Sequence, residues 1–434
     1  MKKILSIWLA LCLVFLLVGC GKEEEKEKKE PEEPTAVEII NETLDIVVYD
    51  RGDDEGYWNA VVDAFEQANA GVTVNMTLTK DAAYVLRDRI LSGNSPDFVY
   101  LPSGDESGVT EALVKDRAMT SLADVEQVLS SLMLTGAVDN VQCRPYDDGK
   151  TYLAPLFFDM EGFIYNKTLL EENGWTLPET WDDLIALAED CDAKDVAVFS
   201  YAGREPEEFV KIFAAALVPS VGTDGMNEML GCSEEVWKDN ESVKAFIEKI
   251  EAIKKLVVSG SSTKKAEDVW EDLTDGKALF ISGNTADLNE LAEDENYEYG
   301  FALYPKLDGN GEKTAIVNFS EMYIPFEAKN ADLAKKFLIF QYSDEAVKIA
   351  AETLGEMTPV LKISTLADQY GLDEETKAMY KKLGTSMFSS RFAVKSAENA
   401  TLSDEFSALV VSVFKGDVTA EDFTEKMIEF IQDY

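Results

Sequence analysis

Apolar and polar residues alternate with two periods along most of the chain, and these periods predict strands that alternate with helices. Short apolar runs typical of buried strands occupy 44–49, 72–78 and 97–101. Between them, 57–68 and 84–91 place apolar residues at helical spacing. This order predicts an α/β fold with an open, mostly parallel sheet. In such sheets, ligands bind at the loops that follow the carboxyl ends of the strands.

The rest of the chain continues the same alternation. Further strands are predicted at 196–200, 276–284, 299–304 and 314–324. Further helices are predicted at 209–217, 242–258, 266–275, 333–342 and 346–351. The residues after 351 have a helical pattern to the C-terminus.

The segment 148–190 begins with a turn and contains two apolar runs. Pro155 lies in the first run, and because proline lacks an amide donor, it predicts a strand end or a crossover, not a central strand. The second run occupies 162–165 and precedes a short helix that Gly174 ends. Thr180 is followed by acidic residues and a helical pattern, so we expect it to be a helix N-cap.

The N-terminus has the pattern of a secretory signal. Lys2 and Lys3 precede an apolar run at 4–18, which is shorter than the roughly twenty residues needed to span a bilayer. The ending Leu17-Val18-Gly19-Cys20 resembles a bacterial lipobox, which implies removal of residues 1–19 and lipid attachment at Cys20. The following segment, 20–43, is highly charged and predicts a flexible tether.

Charge and composition narrow the function classes. The formal net charge is −43, so nucleic acid and anionic lipid are poor partners. The chain has no histidine, which removes the usual general base and weakens the case for a zinc site. We therefore expect no cofactor and no metal. Three cysteines lie outside the leader and the lipobox: Cys143, Cys191 and Cys232. We expect them to be small buried apolar residues, or two of them to form a disulfide.

The order of several separated motifs resembles the extracellular solute-binding proteins of carbohydrate ABC importers. These motifs are Asp148-Gly149-Lys150, Tyr152, Pro155, Asp159, Tyr165-Asn166-Lys167 and Pro178–Leu184, with others at 65–74, 275–283 and 300–306. The resemblance implies a two-lobe fold like that of periplasmic binding proteins, with several interlobe crossovers and the ligand in the cleft. By analogy, lobe 1 comprises 44–156 and 304–326, and lobe 2 comprises 157–303 and 327–434.

The resemblance also implies the function. It predicts a monomeric receptor, anchored to the outside of the cell membrane only by its lipid, which captures a sugar or short oligosaccharide. The receptor would deliver this ligand to the permease subunits of an ABC importer and would bind no nucleic acid. Segments 173–175, 199–206 and 235–258 are similar to members that bind N-acetylglucosamine or its short oligomers. Two alternatives remain, a surface glycoside hydrolase and a lipoprotein that binds a peptide or protein.

Sugar recognition needs aromatic faces for the rings and polar groups for the hydroxyls. The candidate contacts at loops that follow strands, and at the crossover, are Tyr49, Arg51, Ser103, Asp105, Phe158, Asp159, Tyr201, Arg204, Asn284, Phe319 and Glu321. Asp159 is the leading polar candidate because the resemblance places it between the lobes. Thr285 and Asn318-Phe319-Ser320 stand where many members carry tryptophan, which argues against a malto-oligosaccharide. Phe319 is a candidate replacement for one of those tryptophans.

Overall fold

A computed structural model describes residues 41–434 except 53, 103–106, 139, 141, 147, 231–233, 239, 292–293, 295, 355–356, 373, 384–386, 390–396 and 434. The predicted leader, Cys20, Ser103, Asp105 and Cys232 therefore lie outside the described residues. Cys143 and Cys191 are buried.

In the described part of the chain, nine strands form one sheet. The strands are β1 (Glu42–Tyr49), β2 (Val72–Thr79), β3 (Phe98–Tyr100), β4 (Leu153–Asn166), β5 (Ala197–Ser200), β6 (Ala278–Asn284), β7 (Tyr299–Ala302), β8 (Ala315–Tyr323) and β9 (Met387–Ser389). Their order is β2-β1-β3-β8-β4-β6-β5, with β7 also paired to β4 and β9 to β8.

The sheet is mixed, so the prediction of a mostly parallel sheet is wrong. Strand β1 is parallel to β2 and β3, and β5 is parallel to β6, as the alternation of strands and helices predicted. The two long central strands, β4 and β8, run antiparallel to each other. Strand β8 is also antiparallel to β3, and β4 is antiparallel to β6 and β7. The periodicity of single segments did not reveal these central pairings.

The two apolar runs around Pro155 belong to one continuous strand, β4, inside the sheet. Pro155 is the third residue of β4, and the register against β8 shifts between Pro155 and Phe157. The Pro155 carbonyl accepts a hydrogen bond from the Tyr342 hydroxyl at 2.8 Å. Pro155 therefore lies near a strand end, as predicted, but the strand is a central one, which the prediction had excluded. An irregularity near the strand end accommodates the missing amide.

The predicted helices are present, although the helix predicted at 242–258 ends at Ile253. The helices of the described residues are α1 (Glu55–Ala68), α2 (Ala82–Leu91), α3 (Val109–Lys115), α4 (Glu126–Leu132), α5 (Lys167–Asn173), α6 (Trp181–Asp192), α7 (Glu208–Met229), α8 (Glu234–Trp237), α9 (Glu241–Ile253), α10 (Ala266–Thr274), α11 (Asp287–Leu291), α12 (Ala331–Phe340), α13 (Asp344–Thr353), α14 (Ile363–Leu366), α15 (Glu374–Lys382), α16 (Ala397–Lys415) and α17 (Ala420–Asp433). Strand β9 interrupts the C-terminal region that was predicted to be entirely helical.

Local signals fixed several helix ends as expected. Thr180 caps α6, accepting a hydrogen bond from the Asp183 amide while the Asp183 carboxylate accepts one from the Thr180 amide. Gly174 ends α5 with a φ of 67°, a left-handed conformation that favours glycine. Helix α7 is longer than predicted and includes a kink at Gly222, where φ is 76°.

Two large apolar cores underlie the two-lobe α/β fold. The first gathers residues from α1, β1, β8, α12 and α13, with Phe65 and Phe337 in edge-to-face contact. The second gathers residues from α6, α7, α9, α16 and α17, with Phe213 and Phe406 in contact. Strand β4 contributes Phe158 to the first core and other residues to both, so it links the two halves of the fold.

Candidate functional site

A cavity of about 360 Å³ lies beside the C-terminal half of β4. It is lined by Glu161, Ser200, Ala202, Glu205, Glu207, Glu208, Lys211, Ala266, Val269, Trp270, Ser282, Gly283 and Asn284. Ser200 and Asn284 are the last residues of the parallel strands β5 and β6. The cavity therefore lies where an α/β sheet is expected to bind ligands, and its size is in the range of small-molecule sites.

Glu161 is a buried carboxylate in the cavity wall, with 3% of its surface exposed. Lys211 of α7 donates a hydrogen bond from Nζ to Glu161 Oε1 over 2.8 Å. The side-chain amide of Asn318, on β8, donates a hydrogen bond to the same oxygen. Because a buried carboxylate needs a partner, these two donors explain how Glu161 is tolerated here. The positive charge of Lys211 is engaged by the same contact.

Glu208, the first residue of α7, is the second acidic group held inside the cavity. Its Oε1 accepts a hydrogen bond from the Ala202 amide at 3.2 Å. Burial raises the pKa of Glu208 to about 7, although hydrogen bonds from backbone amides and the charge of Lys211 oppose that rise. Near neutral pH, Glu208 can therefore donate a hydrogen bond when protonated or accept one when ionised.

Trp270 supplies the aromatic surface of the cavity. It lies on α10, is half-buried and packs partly against the first core. A large, flat and apolar face beside carboxylates and an amide is a suitable surface for a sugar ring. Val269 and Leu273 already form the buried stripe of α10. Trp270 is an additional aromatic residue beside that stripe, which is a weak sequence signal for a ligand contact.

Asn284 is the one predicted site residue after β5 that lines the cavity. Its Oδ1 accepts a hydrogen bond from the Ala286 backbone amide at 2.9 Å. Arg204 is exposed on the loop after β5 but is not part of the lining. Tyr201 has 3% exposure and stacks on Phe414 of α16, with ring centroids 4.6 Å apart. The structure therefore places Tyr201 in the second core.

Asp159 lies next to the cavity wall, two residues before Glu161, and pairs with Asn318 in the β4–β8 ladder. Thr285 Oγ1 donates a hydrogen bond to Asp159 Oδ1 at 3.4 Å. Burial raises the pKa of Asp159 to about 6, the charge of Glu161 adds to the rise, and Arg51 opposes it. Arg51 itself is paired with Asp54 over 2.8 Å. Asp159 and Arg51 are thus electrostatic neighbours of the cavity, not lining residues.

The remaining predicted contacts fill the first core or its edge. Phe158 and Phe319 are 2% and 0% exposed and meet edge-to-face with centroids 6.2 Å apart. Glu321 is fully buried and accepts a hydrogen bond from Gln142. Tyr49, at the end of β1, is half-buried against the first core. None of these four residues lines the cavity.

The cavity offers hydrogen bonds and stacking surfaces. Within the described ranges, no group of three or more histidine, cysteine, aspartate or glutamate side chains is arranged to hold a metal ion. Glu161, Lys211, Glu208 and Trp270 were not selected as candidates from the sequence. They come from separate elements, so only the tertiary fold brings them together.

Comparisons with known proteins agree with this architecture. The profile of a family described as bacterial extracellular solute-binding protein matches residues 60–378. The chain is 25% identical over 358 residues to the multiple sugar-binding protein of Streptococcus mutans, covering 80% of each chain. It is 24% identical over 405 residues to the diacetylchitobiose binding protein NgcE of Streptomyces coelicolor, covering 86% of this chain and 84% of that one.

A solved structure shares the fold at lower sequence identity. The apo form of RafE from Streptococcus pneumoniae superposes with a TM-score of 0.70 and 18% identity. The match covers 90% of this chain and 97% of RafE. The similarity therefore extends over nearly the whole described body of the chain.

Proposed function

Since the chain belongs to the bacterial extracellular solute-binding protein family, we propose that it captures a sugar or short oligosaccharide and delivers it to an ABC importer. The observation that carries this proposal is the cavity beside β4, which Trp270 lines together with the polar side chains of Glu208 and Asn284. The two relatives compared above are both named as sugar-binding proteins, which supports the same ligand class.

The cavity residues suit the two kinds of contact that a sugar needs. Trp270 stacks on the apolar face of a ring, and Ser282 and Asn284 at the end of β6 hydrogen-bond its hydroxyls. Glu208 serves as a donor or an acceptor according to its protonation. The lining requires no covalent step, and the ligand leaves unchanged when it passes to the permease.

The test is a thermal-shift screen of the full chain against neutral sugars, including N-acetylated ones, and against a set of peptides. The protein is kept in a polyoxyethylene ether detergent, because glycoside detergents are themselves sugars. A ligand at a hundredfold excess over its dissociation constant stabilises the folded state by about 2.7 kcal/mol. Sugar recovered intact supports the receptor, whereas cleavage products indicate a glycoside hydrolase. If only peptides shift the melting temperature, the peptide-binding alternative replaces the proposal.

The attachment to the membrane is a separate part of the proposal. We infer that Cys20 carries the lipid, because a basic start, a short apolar run and Leu17-Val18-Gly19 precede it. Changing Cys20 to Ala is expected to block processing and to move the protein out of the lipid-anchored membrane fraction. A variant that is processed and fractionates like the parent contradicts the assignment.

A further inference from the structure

We propose that the cavity beside β4 prefers a cationic amino sugar, with a free ammonium group, to its neutral and anionic counterparts. This inference rests on the proposed function and specifies the ligand class of the same site. It follows from the charged side chains that line the cavity, which are Glu161, Glu205, Glu207, Glu208 and Lys211. Four of these five are glutamates, and the single lysine is already paired.

The acidic charge of the lining is not balanced within the protein. Lys211 is engaged by Glu161 over 2.8 Å. Among the described residues, Glu205, Glu207 and Glu208 form no ion pair, and the first and last of them accept only backbone amides. A ligand that enters therefore meets a lining whose one lysine is already paired.

Two neighbouring cations are occupied, because Arg51 is paired with Asp54, and Lys264 is paired with Asp272 behind Ser200. Arg204 and Lys265 adjoin lining residues in the sequence but are not part of the lining. Asp159 adds another carboxyl group next to the wall, close enough to Glu161 for the two charges to interact. The charged side chains that line the cavity are therefore mostly acidic. They oppose the entry of an anionic sugar and attract a cation.

The geometry distinguishes this cavity from an ordinary acidic surface. In so acidic a chain, solvated carboxylates are expected almost everywhere. Here, the Ala202 amide holds Glu208 inside a concave space, and Trp270 presents an aromatic ring to the same space. An ammonium group donates up to three hydrogen bonds to carboxylates and is attracted to an indole face. The carboxylates and the indole ring both attract a positive charge. An acetylated nitrogen carries no such charge.

The test compares disaccharides of similar shape and different charge. The full chain in polyoxyethylene ether detergent is titrated calorimetrically, at pH 6.5 and low salt, with the β-1,4-linked glucosamine dimer. The comparison ligands are neutral cellobiose, neutral diacetylchitobiose and a disaccharide that contains glucuronic acid. We expect the glucosamine dimer to bind at least tenfold more tightly than either neutral sugar, and the glucuronide to give no binding heat. Added salt should reduce the preference by screening.

Charge-removing variants locate the effect. Glu205→Gln and Glu207→Gln are each expected to weaken binding of the glucosamine dimer severalfold while leaving cellobiose binding within twofold. Glu235→Gln removes an equal charge from the exposed surface of α8 and serves as the control. Neutral sugars that bind as tightly as the amine, or variants that affect all sugars equally, overturn the inference and leave the sugar receptor standing. If none of the four disaccharides binds while another sugar stabilises the protein in the thermal-shift screen, the inference fails and the sugar receptor stands.

Discussion

Lys211 and Glu161 form an ion pair across the cavity wall, with 2.8 Å between Nζ and Oε1. The pair is asymmetric, because 27% of the Lys211 side chain is exposed while only 3% of Glu161 is. Lysine can reach water along its stem, but the carboxylate depends on its protein partners. The pair therefore matters to the stability of the site as well as to its charge.

The first prediction concerns removal of that lysine. Lys211→Met leaves Glu161 buried with Asn318 as its remaining donor, so we expect a loss of about 3 kcal/mol in the free energy of unfolding. Urea denaturation at neutral pH measures this loss. The double variant Lys211→Met with Glu161→Gln should recover much of it, since the uncompensated charge is gone. Equal stability of the single variant and the parent would show that Glu161 is solvated in solution.

The second prediction concerns the aromatic face of the cavity. Trp270→Ala is expected to weaken binding of a sugar ligand about tenfold, or about 1.4 kcal/mol, because it removes the stacking surface. Trp270→Phe should retain most of the affinity. Calorimetric titration with whichever sugar is found in the thermal-shift screen provides the measurement. Trp175→Ala is the matched control, because Trp175 is also half-buried but does not line the cavity. Equal affinity losses in the two alanine variants would exclude a specific stacking role.

The elements were largely predictable from the sequence, and the reasons are local. The helix at 57–68 and the strand at 72–78 followed from apolar periodicity alone, and the structure has them as α1 and β2. Thr180 and Gly174 fixed helix ends because capping depends on neighbouring residues. The central pairing of β4 with β8 could not be predicted in this way, since it joins segments more than 150 residues apart.

The cavity was less predictable because position after a strand does not determine exposure. Tyr201 follows β5 directly, yet Phe414 of α16, 213 positions later in the chain, covers its ring. Phe158 and Phe319 belong to central strands whose neighbours enclose them. Among the predicted candidates, Asn284 lines the cavity because it ends a parallel strand. For the other candidates in this paragraph, tertiary packing determines that the side chain is buried.

The third prediction uses a close backbone approach next to the cavity. A Cβ added at Gly203 would lie 2.4 Å from the Ser262 Cα, so alanine requires a shift of backbone against backbone. Because Ala202 and Glu205 line the cavity, Gly203→Ala should lower the free energy of unfolding by about 1–3 kcal/mol and also weaken ligand binding. Gly56→Ala is the control, because a Cβ there meets nothing within 4 Å and the residue lies in α1. That change should be neutral or slightly stabilising by helix propensity.

The fourth prediction concerns the stability contribution of Asp159 as pH changes. Its pKa in the folded state is raised to about 6, above the roughly 3.9 of an unfolded chain, mainly by burial. Between about pH 4 and about pH 6, the folded protein therefore holds a proton that the unfolded chain releases. The contribution of Asp159 to the free energy of unfolding is fully present below about pH 4 and falls as the pH rises to about 6. Asp159→Asn removes the penalty on the charged form. We expect it to stabilise the protein by about 2 kcal/mol at pH 7 and by little at pH 4.

Denaturation curves of Asp159→Asn and the parent at pH 4, 5, 6 and 7 test this expectation, with Asp63→Asn on the exposed face of α1 as the control. A gain that does not change with pH would mean that the effect arises from packing and not from the titration of Asp159. A second substitution at this position, Asp159→Ala, addresses the predicted role of Asp159 in binding. If its carboxylate accepts sugar hydroxyls, Asp159→Ala weakens binding about tenfold, the usual effect of losing a charged hydrogen bond. An unchanged dissociation constant, together with the pH-dependent gain in stability, would assign Asp159 to the electrostatics of the wall and leave ligand contact to Trp270, Glu208 and Asn284.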